Sequence, residues 1–177
     1  MQIFKQMNKR FSYITVLLVI LLITISAFFI FKNQLIPAKT HYHAGFVVFQ
    51  NNKKLSFSDN RYMFIEPCAI NSKDTDSTAV IQIKKAHLHD NVGDLVHIER
   101  TGAKWQDLFT NIKFSIDYSN AVGYINGKKT VNFQMQSIHP YDSLVIFIGK
   151  NDSKLFKQAV TKDYMIKMAK KSTTCGD

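Results

Sequence analysis

"AHLHDNVGDLVHIER", Ala86–Arg100, carries three of the chain's six histidines together with two aspartates and a glutamate. Side chains of an extended strand alternate between faces, so His87 and His89 share one face ~7 Å apart, as do Leu95, His97 and Glu99. The intervening "DNVGD" is turn-forming in composition and predicts a tight connection between two strands. Register then decides everything, because a slip of one residue moves each side chain to the opposite face. Pairing Leu88 with Val96 and Ala86 with Ile98 gathers the apolar residues on one side. The same register sets His87 opposite His97 and His89 opposite Leu95, and three imidazoles converge. One feature opposes this: if "TAVIQI" continues the first strand backwards, Ile81 and Ile83 share the histidines' parity, and the histidine face is also a core face.

A second i, i+2 pair, His41 and His43 in "HYHAGFVVFQ", repeats the pattern earlier in the chain. Imidazole is the commonest protein ligand for zinc and copper, and H-x-H on a strand delivers two nitrogens to one side. The candidate metal ligands are therefore His41, His43, His87, His89 and His97, with Asp90, Glu99 or Cys68 as an additional anionic ligand. His139, in the "IHPYD" turn, reads as structural. The bland alternative is a polar hairpin whose histidines only hydrogen-bond their neighbours.

Working outward, "HYHAGFVVFQ" is β-branched and aromatic enough for a strand. "NNKK" supplies a turn, and "LSFSD" alternates as a returning strand. "RYMFIEPC" reads as a further short strand ended by Pro67, "INSKDTDST" as a polar loop, and "TAVIQI" as a strand. Trp105, Leu108, Phe109 and Ile112 fall at helical spacing and predict the one internal helix. "AVGYINGKKTVNF" predicts a hairpin around Asn126-Gly127, and "SLVIFIG" a buried strand. From Asp152 or Ser153 as N-cap, Leu155, Phe156, Ala159, Val160, Tyr164 and Met168 form the apolar stripe of a lysine-rich C-terminal helix. The expected fold is α+β: a mainly antiparallel sheet, one internal helix and a C-terminal amphipathic helix, preceded by an N-terminal transmembrane helix.

That last element comes from "FSYITVLLVILLITISAFFIF", residues 11–31, which is free of charge and follows Lys5, Lys9 and Arg10. As a helix rising ~1.5 Å per residue it matches a hydrocarbon core of about 30 Å. A cleaved secretory signal competes, but its apolar region is usually only ~7 to 15 residues and ends at a small-x-small site. The expected organisation is a cytoplasmic N-terminus (1–10), a signal anchor (11–31), a linker (32–40) and an extracytoplasmic domain (41–177), oriented by the positive-inside rule.

The formal charge of +10 attracts anionic surfaces without choosing among them. Its lysines are scattered or gathered near the C-terminus rather than interleaved with aromatics on a strand. The expected partners are thus the cytoplasmic membrane and an anionic lipid or wall polymer, and nucleic acid is disfavoured. Cys68 and Cys175 lie in the part placed outside, where a disulfide persists, and they form the candidate pair. Cys68 as a metal ligand is the alternative.

"HYHAGFVVF", "KKAHLHDNVGDLVHIER", "WQDLF", "GYINGKK" and "PYDSLVIFIG" together resemble a family of uncharacterised single-pass, membrane-anchored proteins of small-genome bacteria, whose archaeal relatives carry similar H-x-H and HLHD blocks. The resemblance covers nearly the whole outer domain, implies a membrane anchor, and offers no catalytic residue to carry over. Residues 105–149 are also similar in topology to β-grasp domains.

The chain has no Walker loop, no G-x-G-x-x-G after a strand, no G-x-S-x-G elbow and no H-E-x-x-H. The functional reading is a membrane-anchored extracytoplasmic protein that binds zinc or copper through clustered histidines. Its alternatives are a non-catalytic tethered interaction module with a structural histidine cluster and, third, a zinc-dependent hydrolase with Glu99 or Asp90 as base.

Overall fold

The computed structural model describes residues 13, 15–28, 37–65 and 77–171. The chain divides into two units, Met1–Pro37 and Ala38–Asp177. In the first, residues 15–28 form a helix, α1, whose leucines and isoleucines are exposed. Among the described residues no helix is long and apolar enough to cross a membrane. The ends of the expected 11–31 span lie outside the described residues.

The second unit is α+β, with a mixed, curled sheet. Its strands are β1 (Lys39–Gln50), β2 (Lys53–Lys54), β3 (Leu95–Arg100), β4 (Ala121–Ile125), β5 (Lys128–Thr130) and β6 (Ser143–Ile148). They run in the order β2-β1-β6-β4-β5, with β3 also paired to β1. The expectation of a mainly antiparallel sheet needs one correction: β1 and β6, the two most apolar strands, pair in parallel from Gly45↔Ser143 to Gln50↔Ile148. Both are buried on both faces, as a strand at the centre of a covered sheet must be. Ala44, Phe46 and Val48 enter the main core with Trp105, Leu108, Leu144 and Ile146, while Val47 and Phe49 join Val145 and Phe147 on the opposite face.

Helix α3 (Trp105–Asn111) forms where the spacing predicts it, and Trp105, Leu108, Phe109 and Ile112 are all buried. Its first turn is closed by the Asp107 carboxylate, which accepts the Lys104 backbone N–H at 2.8 Å. The Asn126-Gly127 hairpin also holds. Both residues have positive φ, 52° and 78°, as a type I′ turn requires. The Asn126 side chain fastens this turn to β6 by donating to Asp142 at 2.7 Å and accepting from the Ser143 N–H at 2.9 Å.

Five segments depart from expectation. "TAVIQI" is not a strand but the start of a second internal helix, α2 (Thr78–Lys85). Its β-branched residues favour a strand, but Ser77 caps the first turn by accepting the Val80 N–H at 3.3 Å, and Lys84 and Lys85 sit in the last turn, where a helix dipole favours cations. The tension over Ile81 and Ile83 therefore disappears. "LSFSD" and the described part of "RYMFIEPC", residues 61–65, are not strands: β2 ends at Lys54, Asn60–Tyr62 is a 3-10 turn, and Met63 alone bridges to Leu88. Strand β5 ends at Thr130, short of "VNF". The C-terminal helix is broken into a 3-10 segment, Ser153–Gln158, and α4 (Lys162–Ala169), with Thr161 as a fresh N-cap.

The cause of the last break is packing. Val160 and Met165 are buried with Leu95, and a Cβ on Gly45 would lie 2.4 Å from Val160 Cγ1. Only glycine at 45 lets this segment seat on the sheet.

Asn111, the last residue of α3, joins the two internal helices. Its amide nitrogen lies 2.9 Å from the Gln82 carbonyl, 3.2 Å from that of Ile83 and 2.8 Å from that of Ala86. These include open carbonyls at the end of α2, and the contact to Ala86 sets the entry of the next residue, His87. Replacing Asn111 by alanine should destabilise the domain by about 1–3 kcal/mol, the cost of leaving buried carbonyls unsatisfied. Chemical denaturation checks this, and a change below ~0.5 kcal/mol would contradict it.

Candidate metal centre

The cluster is a row of directly opposed histidines across the sheet. His43 of β1 is paired with His97 of β3, and His97 with His87. His87 and His97 exchange both backbone hydrogen bonds, at 3.0 and 2.9 Å. That is the register expected from the apolar pattern, and its reason holds as well: Ala86, Leu88, Val96 and Ile98 all lie in the main core on the other face. The turn between them is made by Asp90 and Asn91, both at positive φ, a conformation that Asp and Asn tolerate better than most residues.

His41 and His89 stand one pleat from this row. The β1–β3 register shifts between Lys39 and Tyr42, a bulge in the stretch that contains His41. Bulges re-aim side chains in this way beside functional sites. His97 links two sets of rings: His41 and His43 on one side, with centroids 5.0 Å apart and His43 4.1 Å from His97, and His87 and His89 on the other, 5.8 and 3.4 Å from His97.

Within this group, His41, His43 and His97 each offer a ring nitrogen, and the three atoms lie within 4.8 Å of one another. In a tetrahedral zinc centre with bonds of ~2.0–2.1 Å the ligand nitrogens are ~3.3 Å apart, so small side-chain rotations close the gap. Burial is graded: His41 is exposed, His43 half-buried, and His97 and His87 are each 4% exposed. One ring nitrogen of the converging three, His43 Nε2, is buried without a hydrogen-bond partner; His87 Nδ1 is too, but lies outside that group. Leaving such an atom unpaired costs about 1–3 kcal/mol, which a coordinate bond would recover. The donor set therefore fits a metal ion.

Electrostatics points the same way. Burial, and then neighbouring His41 and His89, lower the His43 pKa to about 4. Burial, with His89 next, lowers His87 to about 3 against a raising contribution from the Ile83 backbone. His97 is pushed down furthest, by burial and then by His89, His43, His87 and His41. These three imidazoles are neutral at pH 7, the state that binds metal.

The shifts carry a stability prediction for the metal-free chain. Its unfolded histidines take up protons near ~6.5, whereas folded His43 and His87 wait until about 4 and about 3. Between those values the unfolded state holds more protons, so stability is full above the unfolded pKa and falls as pH drops toward the folded ones. Lys84, close to His87, adds to the penalty on charging. Denaturation midpoints of the metal-free chain should decline steadily from pH 7 to 4.5. A flat profile would contradict the packing of neutral rings.

The other expected ligands fall elsewhere. Asp90 Oδ2 is 2.7 Å from His89 Nδ1. Glu99 shares His97's strand face but faces Lys84, at 3.8 Å. His139 belongs to the turn before β6, with Nδ1 3.4 Å from Asp142. Cys68 and Cys175 lie outside the described residues, and with them both the disulfide and the thiolate-ligand readings. Sequence reasoning missed Asn111, which donates to the Ala86 carbonyl beside the His87 bridge; no motif marks it. Comparisons with family models, with curated proteins and with solved structures each found no match.

Proposed function

We propose that this chain binds a transition-metal ion, zinc or copper, through His41, His43 and His97, in a domain held at a membrane by its N-terminal segment. The observation that carries the reading is the convergence of three ring nitrogens from two strands within 4.8 Å. Imidazole-rich sites suit zinc and copper above calcium or magnesium, which take oxygen ligands. The tether rests on the uncharged run of residues 11–31 behind three cations. Location outside the cytoplasm follows from the same charge asymmetry. Exposed lysines near the C-terminus, among them Lys154, Lys157, Lys162 and Lys167, would face an anionic surface, each adding about 1 kcal/mol.

Equilibrium dialysis of the full chain in detergent, made without a histidine tag, tests the binding. It should saturate at one zinc or copper ion per chain. Absence of uptake at millimolar metal would leave the cluster as packing and the protein as a tethered interaction module.

A further inference from the structure

A tetrahedral ion held by three histidines has a fourth position to fill, and what fills it decides what the centre can do. From the geometry we infer that this position opens to solvent beside His41 and takes a small anion from outside the chain. The inference rests on the three-histidine reading and deepens it.

The count of donors is the first support. Among the described residues, no further histidine, cysteine or carboxylate joins His41, His43 and His97 in a group whose ligand atoms lie within 4.8 Å of one another. His87 and His89 stand on the other side of His97. The carboxylates that flank these strands are held elsewhere: Asp90 Oδ2 meets His89 Nδ1 at 2.7 Å, and Glu99 Oε2 meets Lys84 Nζ at 3.8 Å.

The graded burial of the three rings places the opening. Gly45 and His43 share one face of β1, and the His41 ring lies 5.0 Å from that of His43. At Gly45 this face is sealed, since a Cβ there would meet Val160 at 2.4 Å and Met165 at 3.0 Å. Next along it, His43 is half-buried and His41 is exposed, while His97 on β3 is buried. The cover thus thins toward His41, and an ion among the three rings is reached from that side.

Charge selects the ligand. Imidazole binds metal as the neutral ring, so three of them leave a divalent ion its full charge. Glu99, the acidic residue two positions from His97 on the same strand face, is already offset by Lys84. At a site only partly open to water, where charges are weakly screened, an uncompensated ion favours an anion over a neutral ligand.

A centre of this form holds and polarises a small anion. It differs from a base-assisted zinc hydrolase, because Asp90 and Glu99, the two candidate bases, are committed to His89 and Lys84.

Cobalt(II) is the metal probe and azide the anion, both added to the full chain in detergent and followed by visible absorption. Wild type should bind one cobalt. Azide should then shift the cobalt bands and saturate at one azide per cobalt, while perchlorate, a poor ligand, should leave them unchanged at the same concentration. A spectrum unmoved by azide, or moved equally by perchlorate, would mean that the chain itself closes the fourth position; the inference falls and the triad stands. Azide that strips cobalt from the chain instead of joining it would overturn the inference in the same way. If wild type binds no cobalt, the triad reading falls and this one with it.

Discussion

Replacing His97 by alanine should abolish stoichiometric metal binding while leaving the domain folded. His97 stands in the middle of the row, opposite His43 on one side and His87 on the other. Removing its ring leaves only the His41–His43 pair of the converging three. Its hydrogen bonds to His87 run through the backbone, at 3.0 and 2.9 Å, and survive the change. The loss in affinity should exceed the ~10–100-fold expected from removing a mere orienting partner. His139→Ala, in the turn before β6, should bind as wild type does. Dialysis and circular dichroism on the same samples check both halves. An unfolded His97→Ala chain would assign this residue to packing, and undiminished binding would remove it from the site.

The largest effect on stability should come from Phe46→Ala. Phe46 is completely buried on β1, three residues beyond His43, with its ring 5.2 Å from Phe57 and 6.2 Å from Phe109. Truncating a buried phenylalanine costs about 3–5 kcal/mol in transfer and cavity terms. That is a large share of the ~5–15 kcal/mol typical of a domain. If the triad binds zinc in the folded chain alone, zinc at about 100 times its dissociation constant should return ~2.7 kcal/mol. A denaturation series with and without zinc checks both numbers. A loss under ~1 kcal/mol would mean that β1 is not the centre of the core. A zinc effect equal to zero would detach the ion from the fold.

Much of this arrangement is legible before any coordinates. The hairpin register follows from Ala86, Leu88, Val96 and Ile98, because a buried face tolerates one pairing only. The α3 stripe and the Asn126-Gly127 turn are equally local: spacing and positive φ specify them without help from distant residues. The parallel pairing of β1 with β6 is not local. It joins segments about a hundred residues apart in sequence, and an apolar run announces burial without naming its neighbour.

The misread segments fail for the same kind of reason. In Thr78–Lys85, β-branched residues favour a strand, yet contacts from outside decide for helix: Asn111 gathers carbonyls at its end, and Lys84 and Lys85 reach Glu99 and Asp107 at 3.8 and 3.6 Å. Propensity is a weak prior against such contacts. The break at Val160 depends on a glycine 115 positions earlier, and no window of the C-terminal sequence contains it.

For the histidines, composition and alternation single out all five rings, and the register brings His87 to His97. What they leave open is which nitrogens converge, since that depends on the bulge near His41, which is set by three-dimensional contacts. The candidate triad His41, His43 and His97 is therefore a subset of the residues that the pattern marks.

The most direct test of the central claim is an anomalous difference map, recorded at the zinc or copper absorption edge from crystals of the chain grown with that metal. The account predicts one strong peak ~2.0–2.1 Å from a ring nitrogen of each of His41, His43 and His97. A map without a peak among these rings, or with the ion bound elsewhere on the chain, would contradict it.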